Sequence, residues 1–64
     1  MTDREKKEIC DPIYQRICSC IMNEDQTVKE EAFEFSWQVD DAYALLDIEE
    51  LKQLEIEARK YKDN

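Results

Sequence analysis

The sequence predicts an all-α fold, a small bundle of two to three amphipathic helices. Three segments place their apolar residues on one side when the chain is plotted at about 100° per residue, the period of an α-helix. Residue combinations typical of helix N-termini stand at or near the start of these segments. No internal repeat or linker divides the 64 residues, so we expect a single domain. The predicted helices cover about residues 4–22, 28–46 and 48–62.

The first predicted helix is amphipathic but contains a proline. Its apolar side consists of Ile9, Ile13, Ile17, Cys20 and Ile21, flanked by Cys10 and Tyr14. Pro12 cannot donate a hydrogen bond to the carbonyl of Glu8, and its ring disfavours helical geometry at Asp11. We therefore expect a kink or a restart at Pro12, with Asp11 as the new N-cap and a firmer helix over 12–22. Asn23 is able to end this helix in a left-handed conformation.

The second predicted helix follows a polar loop at residues 23–26. Thr27 and Glu30 have the spacing of a capping box, which predicts a helix start at Val28. An apolar seam with heptad spacing consists of Val28, Ala32, Phe35, Val39, Ala42 and Leu46. A second apolar face holds Phe33, Trp37 and Ala44. With two apolar faces, this helix is the natural central element, able to pack on the first helix and on a further element such as another subunit.

Residues 33–39 also fit a short β-strand, which would make the fold α+β. Aromatic and β-branched residues alternate there with polar ones, as on a half-buried strand. The helical pattern accounts for more residues in register, and a lone strand would need a partner from residues 18–22 or from a second copy. We therefore favour a helix.

The third predicted helix starts at Ile48. Asp47 stands at the N-cap position with Glu50 three residues later, and acidic residues precede basic ones along the segment, which suits the helix dipole. Its apolar seam is Ile48, Leu51, Leu54, Ala58 and Tyr61. Glu55 and Arg59 have the spacing of an ion pair one turn apart. No glycine or proline separates helices two and three, so the pattern leaves open whether they form one rod.

The composition excludes most enzyme classes. The chain contains no histidine, the usual general base and commonest metal ligand, and no glycine for a loop that cradles phosphate. Cys10, Cys18 and Cys20 lack the paired spacing of a zinc site, so we interpret them as small buried apolar side chains. We therefore expect no catalytic activity, no metal and no cofactor.

Acidic residues are concentrated in the middle of the chain. The net charge is −8, from 17 acidic and 9 basic residues, and the segment 23–50 holds ten acidic residues with Lys29 as its sole basic one. This balance argues against direct binding of nucleic acid or anionic membranes, which requires clustered Lys and Arg. Since no apolar run is long enough to span a bilayer and no export signal is visible, we expect a cytoplasmic protein.

These charges and a neighbouring aromatic pair define the candidate site. One arc of the second helix carries Glu30, Glu31, Glu34, Gln38 and Asp41. The candidate partner-binding residues are Glu30, Glu31, Glu34, Asp40, Asp41, Phe33 and Trp37. Aromatic anchors with a charged rim have the composition of a protein contact. We therefore expect a non-catalytic protein that binds a basic surface of a partner protein, in the most specific form as an inhibitor that mimics nucleic acid.

Two further expectations concern assembly. A domain of this length buries only about 60% of the surface of its unfolded chain, so we expect a homo-oligomer. The alternative function is a structural or assembly module that docks through Phe33, Trp37 and Ile56. In size, helical content and acidity the chain is similar to small phage and mobile-element proteins that bind a host protein, a similarity of composition that covers no specific motif.

Overall fold

The computed structural model, which describes residues 1–62, confirms the all-α prediction. Within this range the elements are α1 at Asp3–Ile21, a 3₁₀ turn at Glu30–Ala32, α2 at Phe33–Ala44, α3 at Ile48–Ala58 and a second 3₁₀ turn at Arg59–Tyr61. Residues 33–39 lie inside α2, so the α+β alternative is wrong. The bundle is elongated, with principal extents of 36 × 18 × 18 Å.

Helix α1 passes through Pro12 without a break, so the predicted restart is wrong. Its N-cap is Thr2, whose Oγ1 accepts a hydrogen bond from the Glu5 N–H at 3.2 Å. Pro12 and Glu8 are both exposed, so water can bind the Glu8 carbonyl that the proline leaves without a donor. One continuous helix therefore buries its apolar side from Cys10 to Ile21 against the rest of the protein, whereas Ile9 is exposed.

The chain leaves α1 through extended backbone. Met22 is extended and forms an isolated antiparallel bridge with Val28. The left-handed conformation in this loop belongs to Gln26, at φ 70°, and not to Asn23. The predicted left-handed cap at Asn23 is therefore wrong, because the left-handed residue lies three positions further on.

The predicted capping box at Thr27 and Glu30 does not form. The Thr27 hydroxyl donates to Asp25 Oδ1 at 2.6 Å, and the Thr27 N–H donates to the same oxygen at 3.1 Å. This local turn competes with helix capping, as side chains of Asp and Thr commonly do in loops. The predicted helix start at Val28 is therefore wrong, and α2 begins at Phe33.

A Schellman turn separates α2 from α3, so the two helices are not one rod. Leu46 adopts the left-handed conformation at φ 53°, and its N–H donates to the Tyr43 carbonyl at 3.0 Å. The Asp47 N–H donates to the Ala42 carbonyl at 2.9 Å, which completes the motif. Asp47 then caps α3, because its Oδ1 accepts a hydrogen bond from the Glu50 N–H at 3.1 Å. The predicted start of the third helix is confirmed.

A hydrophobic core joins the helices. Helix α1 packs mainly against α3, and α2 lies against both. The buried hydrophobic side chains are Cys10, Ile13, Ile17, Cys20, Ile21, Ala32, Phe35, Val39, Ala42, Leu51, Leu54 and Ala58. The central positions of all the predicted apolar seams are among them. The ends of the second and third seams are partly buried against the same core, whereas Ile9, at the start of the first, is exposed. Glu55 pairs across helices with Arg16 instead of with Arg59, at Nη2 to Oε1 and Nε to Oε2 distances of 3.0 and 3.1 Å.

Candidate partner-binding surface

Two aromatic side chains stand on the outward face of α2. Phe33 and Trp37 lie one helical turn apart and are 51% and 59% exposed. Their rings meet edge to face, with centroids 5.4 Å apart and 77° between the ring planes. Contiguous exposed apolar surface on a small soluble domain is typical of a contact site. The pair is therefore a candidate anchor for a partner.

The aromatic pair borders a groove between the start of α2 and the end of α3. The short turn between these helices makes them antiparallel neighbours, which brings the C-terminal 3₁₀ turn beside the first turn of α2. The groove has a volume of about 590 Å³. We call it the acidic groove, and its lining consists of Glu30, Glu31, Phe33, Glu34, Phe35, Trp37, Gln38, Glu57, Lys60 and Tyr61.

Carboxylates dominate the charge of the acidic groove. Four glutamates line it against a single lysine. Glu30 and Glu31 stand on the 3₁₀ turn that leads into α2, and Glu34 stands in the first turn of α2. The helix dipole favours negative charge at this end of a helix, so the fold accommodates these acids together. The result is a region of negative potential beside two exposed aromatic rings.

The acidic groove already holds one cation against an aromatic ring. Lys60 Nζ lies 5.1 Å from the centroid of the Tyr61 ring, within the range of a cation–π contact. The Tyr61 ring packs on buried Phe35, with centroids 5.3 Å apart. The Tyr61 carbonyl accepts a hydrogen bond from Nζ of buried Lys29 at 2.5 Å. These contacts hold the ring in place, and the same chemistry suits a lysine or arginine side chain of another molecule.

The structure brings five of the seven predicted site residues together. Those that line the acidic groove are Glu30, Glu31, Phe33, Glu34 and Trp37. Asp40 lies on another side of α2, where its Oδ1 accepts a hydrogen bond from the Tyr14 hydroxyl at 2.9 Å. Asp41 is exposed but lies outside the groove lining. Ile56, expected to dock together with the aromatic pair, is 58% exposed on α3 and also lies outside that lining.

Three groove residues that lie outside the second predicted helix were not assigned to a site from the sequence. Glu57, Lys60 and Tyr61 come from the end of α3 and the turn that follows it. The periodic pattern identified Tyr61 only as the last residue of an apolar seam. The signal that could have found all three is the short connection between helices two and three. Helices joined in this way are antiparallel neighbours, so the end of one lies beside the start of the other.

The cysteines that face the core are poor reactive groups. Burial, and after it the charge of Asp11, raises the pKa of the Cys10 thiol above its ordinary value of 9.0. Burial likewise raises the pKa of Cys18. Because the thiolate is the nucleophile and the metal ligand, both groups stay unreactive thiols at neutral pH. Among residues 1–62, no group of three or more Cys, Asp or Glu side chains could hold a metal ion.

Comparisons with protein-family models, with curated proteins and with solved structures find no match for this chain. In the part of the chain that the structure describes, no helix combines the length and the apolar character needed to cross a membrane. The features of the molecule that bear on function are therefore the acidic groove, its exposed aromatic pair and its carboxylates.

Proposed function

We propose that the protein is a non-catalytic binding protein whose acidic groove receives a basic segment of a partner protein. The observation that carries the proposal is the position of Phe33 and Trp37, both more than half exposed, in one groove with four glutamates. Arginine is the side chain that matches both features. Its guanidinium stacks on aromatic faces and binds carboxylates through two parallel hydrogen bonds.

The aromatic and acidic residues contribute to such binding in different ways. Covering Trp37 removes apolar surface from water and gives the partner a rigid anchor, the usual role of a tryptophan at the centre of an interface. The glutamates lie around this anchor, where charges mainly attract and orient a partner and lose strength as salt is added. The affinity is therefore expected to depend on one aromatic residue and also on ionic strength.

The test is a titration with an oligoarginine peptide. Trp37 is the sole tryptophan, so its fluorescence reports directly on the groove. We expect a saturable change at low salt that weakens strongly at about 1 M salt, where charges are screened beyond about 3 Å. Trp37→Ala, followed by calorimetry, and the double variant Glu30→Lys/Glu34→Lys should each weaken binding by about tenfold or more.

The matched control is Glu8→Lys/Glu24→Lys, which changes the net charge equally at exposed positions outside the groove. It should keep the affinity of the wild type within about threefold, because screened charges away from the interface contribute little. Equal loss in both double variants would mean that only the total charge attracts the peptide, and the groove proposal would be wrong.

Mimicry of nucleic acid is the more specific form of this proposal. Its support is the grouping of carboxylates on one surface of an acidic protein, where they would stand in for phosphates in a basic cleft. The immobilised protein should capture nucleic-acid-binding proteins from an extract, and duplex DNA should release them by competition. Captured proteins that stay bound at saturating DNA would contradict mimicry but leave the binding of a basic segment standing.

The second candidate function is a structural or assembly module. Such a module would contact its partner through the same aromatic pair, and the glutamates would not contribute to binding. The exposure of Phe33 and Trp37 favours it, whereas Ile56 lies outside the groove and would have to contact a different part of the complex. An assembly module should lose its partner with Trp37→Ala and keep it with Glu30→Lys/Glu34→Lys. Loss of the partner with both changes supports recognition of a basic segment instead.

A further inference from the structure

A second concave surface lies at the end of the molecule opposite to the acidic groove. It is formed by the turn between α2 and α3 together with the first half of α1, and its volume is about 620 Å³. Along α2, Gln38 of the groove and Leu45 of this surface are seven residues apart, about 10 Å along the helix axis. We call this surface the apolar end. Its exposed hydrophobic side chains are Leu45, Met1 and Ile9, and its charged side chains are Lys6, Lys52, Asp47 and Glu49.

The centre of the apolar end consists of hydrophobic side chains that the fold holds in water. Leu45 is 79% exposed, the highest fraction among the large hydrophobic residues of the described chain, and Ile9 is 37% exposed. Leu45 is not on a loose loop. It is the C-cap of α2, and its N–H donates to the Asp41 carbonyl at 3.1 Å. A fixed, exposed apolar centre is typical of a surface that another molecule covers.

The charged groups around this centre carry both signs. Lys6, Lys52 and the amino group of Met1 stand with Asp47 and Glu49, in contrast to the net charge of −8 of the chain. A two-fold interface requires a surface that complements itself, because each residue meets the same patch on the other copy. An apolar centre with charges of both signs around it can meet this requirement. The acidic groove does not, because its four glutamates would repel those of a second copy.

We infer that a second copy of this chain covers the apolar end, in a two-fold dimer centred on Leu45. The inference is independent of the proposed function, because the two surfaces lie at opposite ends and share no residue. A second copy offers both signs of charge to this mixed rim, whereas a membrane or a partner of a single charge sign would be repelled by part of it. A small domain with a limited core also gains from burying apolar surface between copies.

The test measures molecular mass by sedimentation equilibrium at protein concentrations from about 1 µM to 1 mM, the range of weak complexes. The wild type should rise from 7.7 kDa toward twice that mass. Leu45→Lys, which suits the C-terminal end of a helix, should weaken association by about tenfold or more and keep the helical circular dichroism. Ile56→Lys is the matched control, since Ile56 is 58% exposed on another surface and should associate like the wild type.

Variants that reverse the charges around the apolar end test the two-fold arrangement. Lys6→Glu/Lys52→Glu makes all the charged side chains of the rim acidic and should suppress self-association at low salt. Asp47→Asn/Glu49→Lys makes it basic, with asparagine kept as an N-cap, and should do the same. Mixing the two double variants should restore dimers, because each rim then meets its opposite.

Three results would overturn the inference. The first is a wild-type protein that stays monomeric over the whole concentration range. The second is equal association of Leu45→Lys and Ile56→Lys. The third is a mixture of the two charge variants that associates no better than either one alone. Trp37→Ala should dimerise like the wild type, so failure of the groove proposal and failure of this inference give different results.

Discussion

The two sides of α2 carry similar residues in opposite circumstances. On the side that faces α1, Tyr43 stacks on Tyr14 with ring centroids 4.4 Å apart, and the two hydroxyls donate to Asp11 and Asp40 respectively. On the outward side, the aromatic pair and the nearby glutamates point into an open groove. Both sides combine aromatic rings with carboxylates. Only the position of a neighbouring helix makes one combination structural and leaves the other free for a partner.

The two tyrosines between α1 and α2 hold their protons more tightly than a free tyrosine does. Burial, and after it the hydrogen bond to Asp40, raises the pKa of Tyr14 well above its ordinary value of 10.0. For Tyr43 the hydrogen bond to Asp11 comes first and burial second, and the pKa is again raised. The packing of α1 on α2 thus keeps both tyrosine hydroxyls protonated as hydrogen-bond donors to carboxylates. These hydrogen bonds stabilise the fold and lie outside the acidic groove.

The largest expected difference in stability is between two variants that each lose one aromatic ring, one on the side of α2 that faces α1 and one on its outward side. Tyr14→Ala deletes half of the stacked pair between α1 and α2 and should lower the free energy of unfolding by about 2–4 kcal/mol. Trp37→Ala deletes an exposed ring and should lower it by less than about 1 kcal/mol. Urea unfolding followed by circular dichroism measures both. If Trp37→Ala proves as destabilising as Tyr14→Ala, the outward pair belongs to the core and the comparison fails.

An intermediate effect comes from removing a single hydroxyl. Tyr14→Phe keeps the ring and loses the hydrogen bond to Asp40, at a cost of about 1 kcal/mol near neutral pH. In the unfolded chain Tyr14 ionises near 10.0, whereas the folded state holds its proton to higher pH. Its contribution is therefore complete below pH 10.0 and declines as the pH rises above that value. The variant's stability should fall less steeply than that of the wild type in alkaline urea titrations.

The smallest expected effect is the difference in stability between variants of two nearby glutamates of α3. Glu55 binds Arg16 of α1 through two contacts, and this hydrogen bonding lowers the pKa of its carboxyl below 4.5, whereas Glu57 lines the acidic groove. Glu55→Gln should therefore destabilise the protein slightly more than Glu57→Gln at neutral pH. A lowered pKa gives stability above pH 4.5 that is lost as the pH falls through the folded value, so the difference should vanish in acid. Thermal unfolding across this pH range measures it, and a difference that persists in acid would contradict the role of the charge.

Much of the fold could be predicted because apolar periodicity reports burial directly. The seams identified the buried residues of all three helices, and Asp47 marked a true helix start. The start of α2 could not be predicted in this way. Thr27 has the residue type of an N-cap, but its hydroxyl is engaged by Asp25 in a turn, and local spacing does not distinguish the two uses. Pro12 also misled, because α1 continues through it although the proline gives the Glu8 carbonyl no hydrogen-bond donor.

The candidate site was predictable in its acids and aromatic pair but not in its extent. Residues that lie on one arc of one helix follow from the helical period, and Glu34 and Trp37 were found in this way. The periodic pattern contains no information about which neighbouring helix covers a given arc. Asp40, which the helical period places off the arc of Glu34, accepts a hydrogen bond from Tyr14, whereas Asp41 lies on that arc and still falls outside the groove lining. The periodic pattern also missed Lys60 and Tyr61, which a neighbouring element supplies.

The placement of the acidic groove and the apolar end at opposite ends of a long, narrow molecule has a consequence for avidity. A dimer joined at Leu45 would carry one groove on each copy, outside the interface between the copies. A partner with two basic segments on a linker long enough to span them would bind the second groove as an intramolecular step, at a high effective concentration. Two individually weak contacts would then hold it with a long residence time, and a partner with a single basic segment would be released quickly.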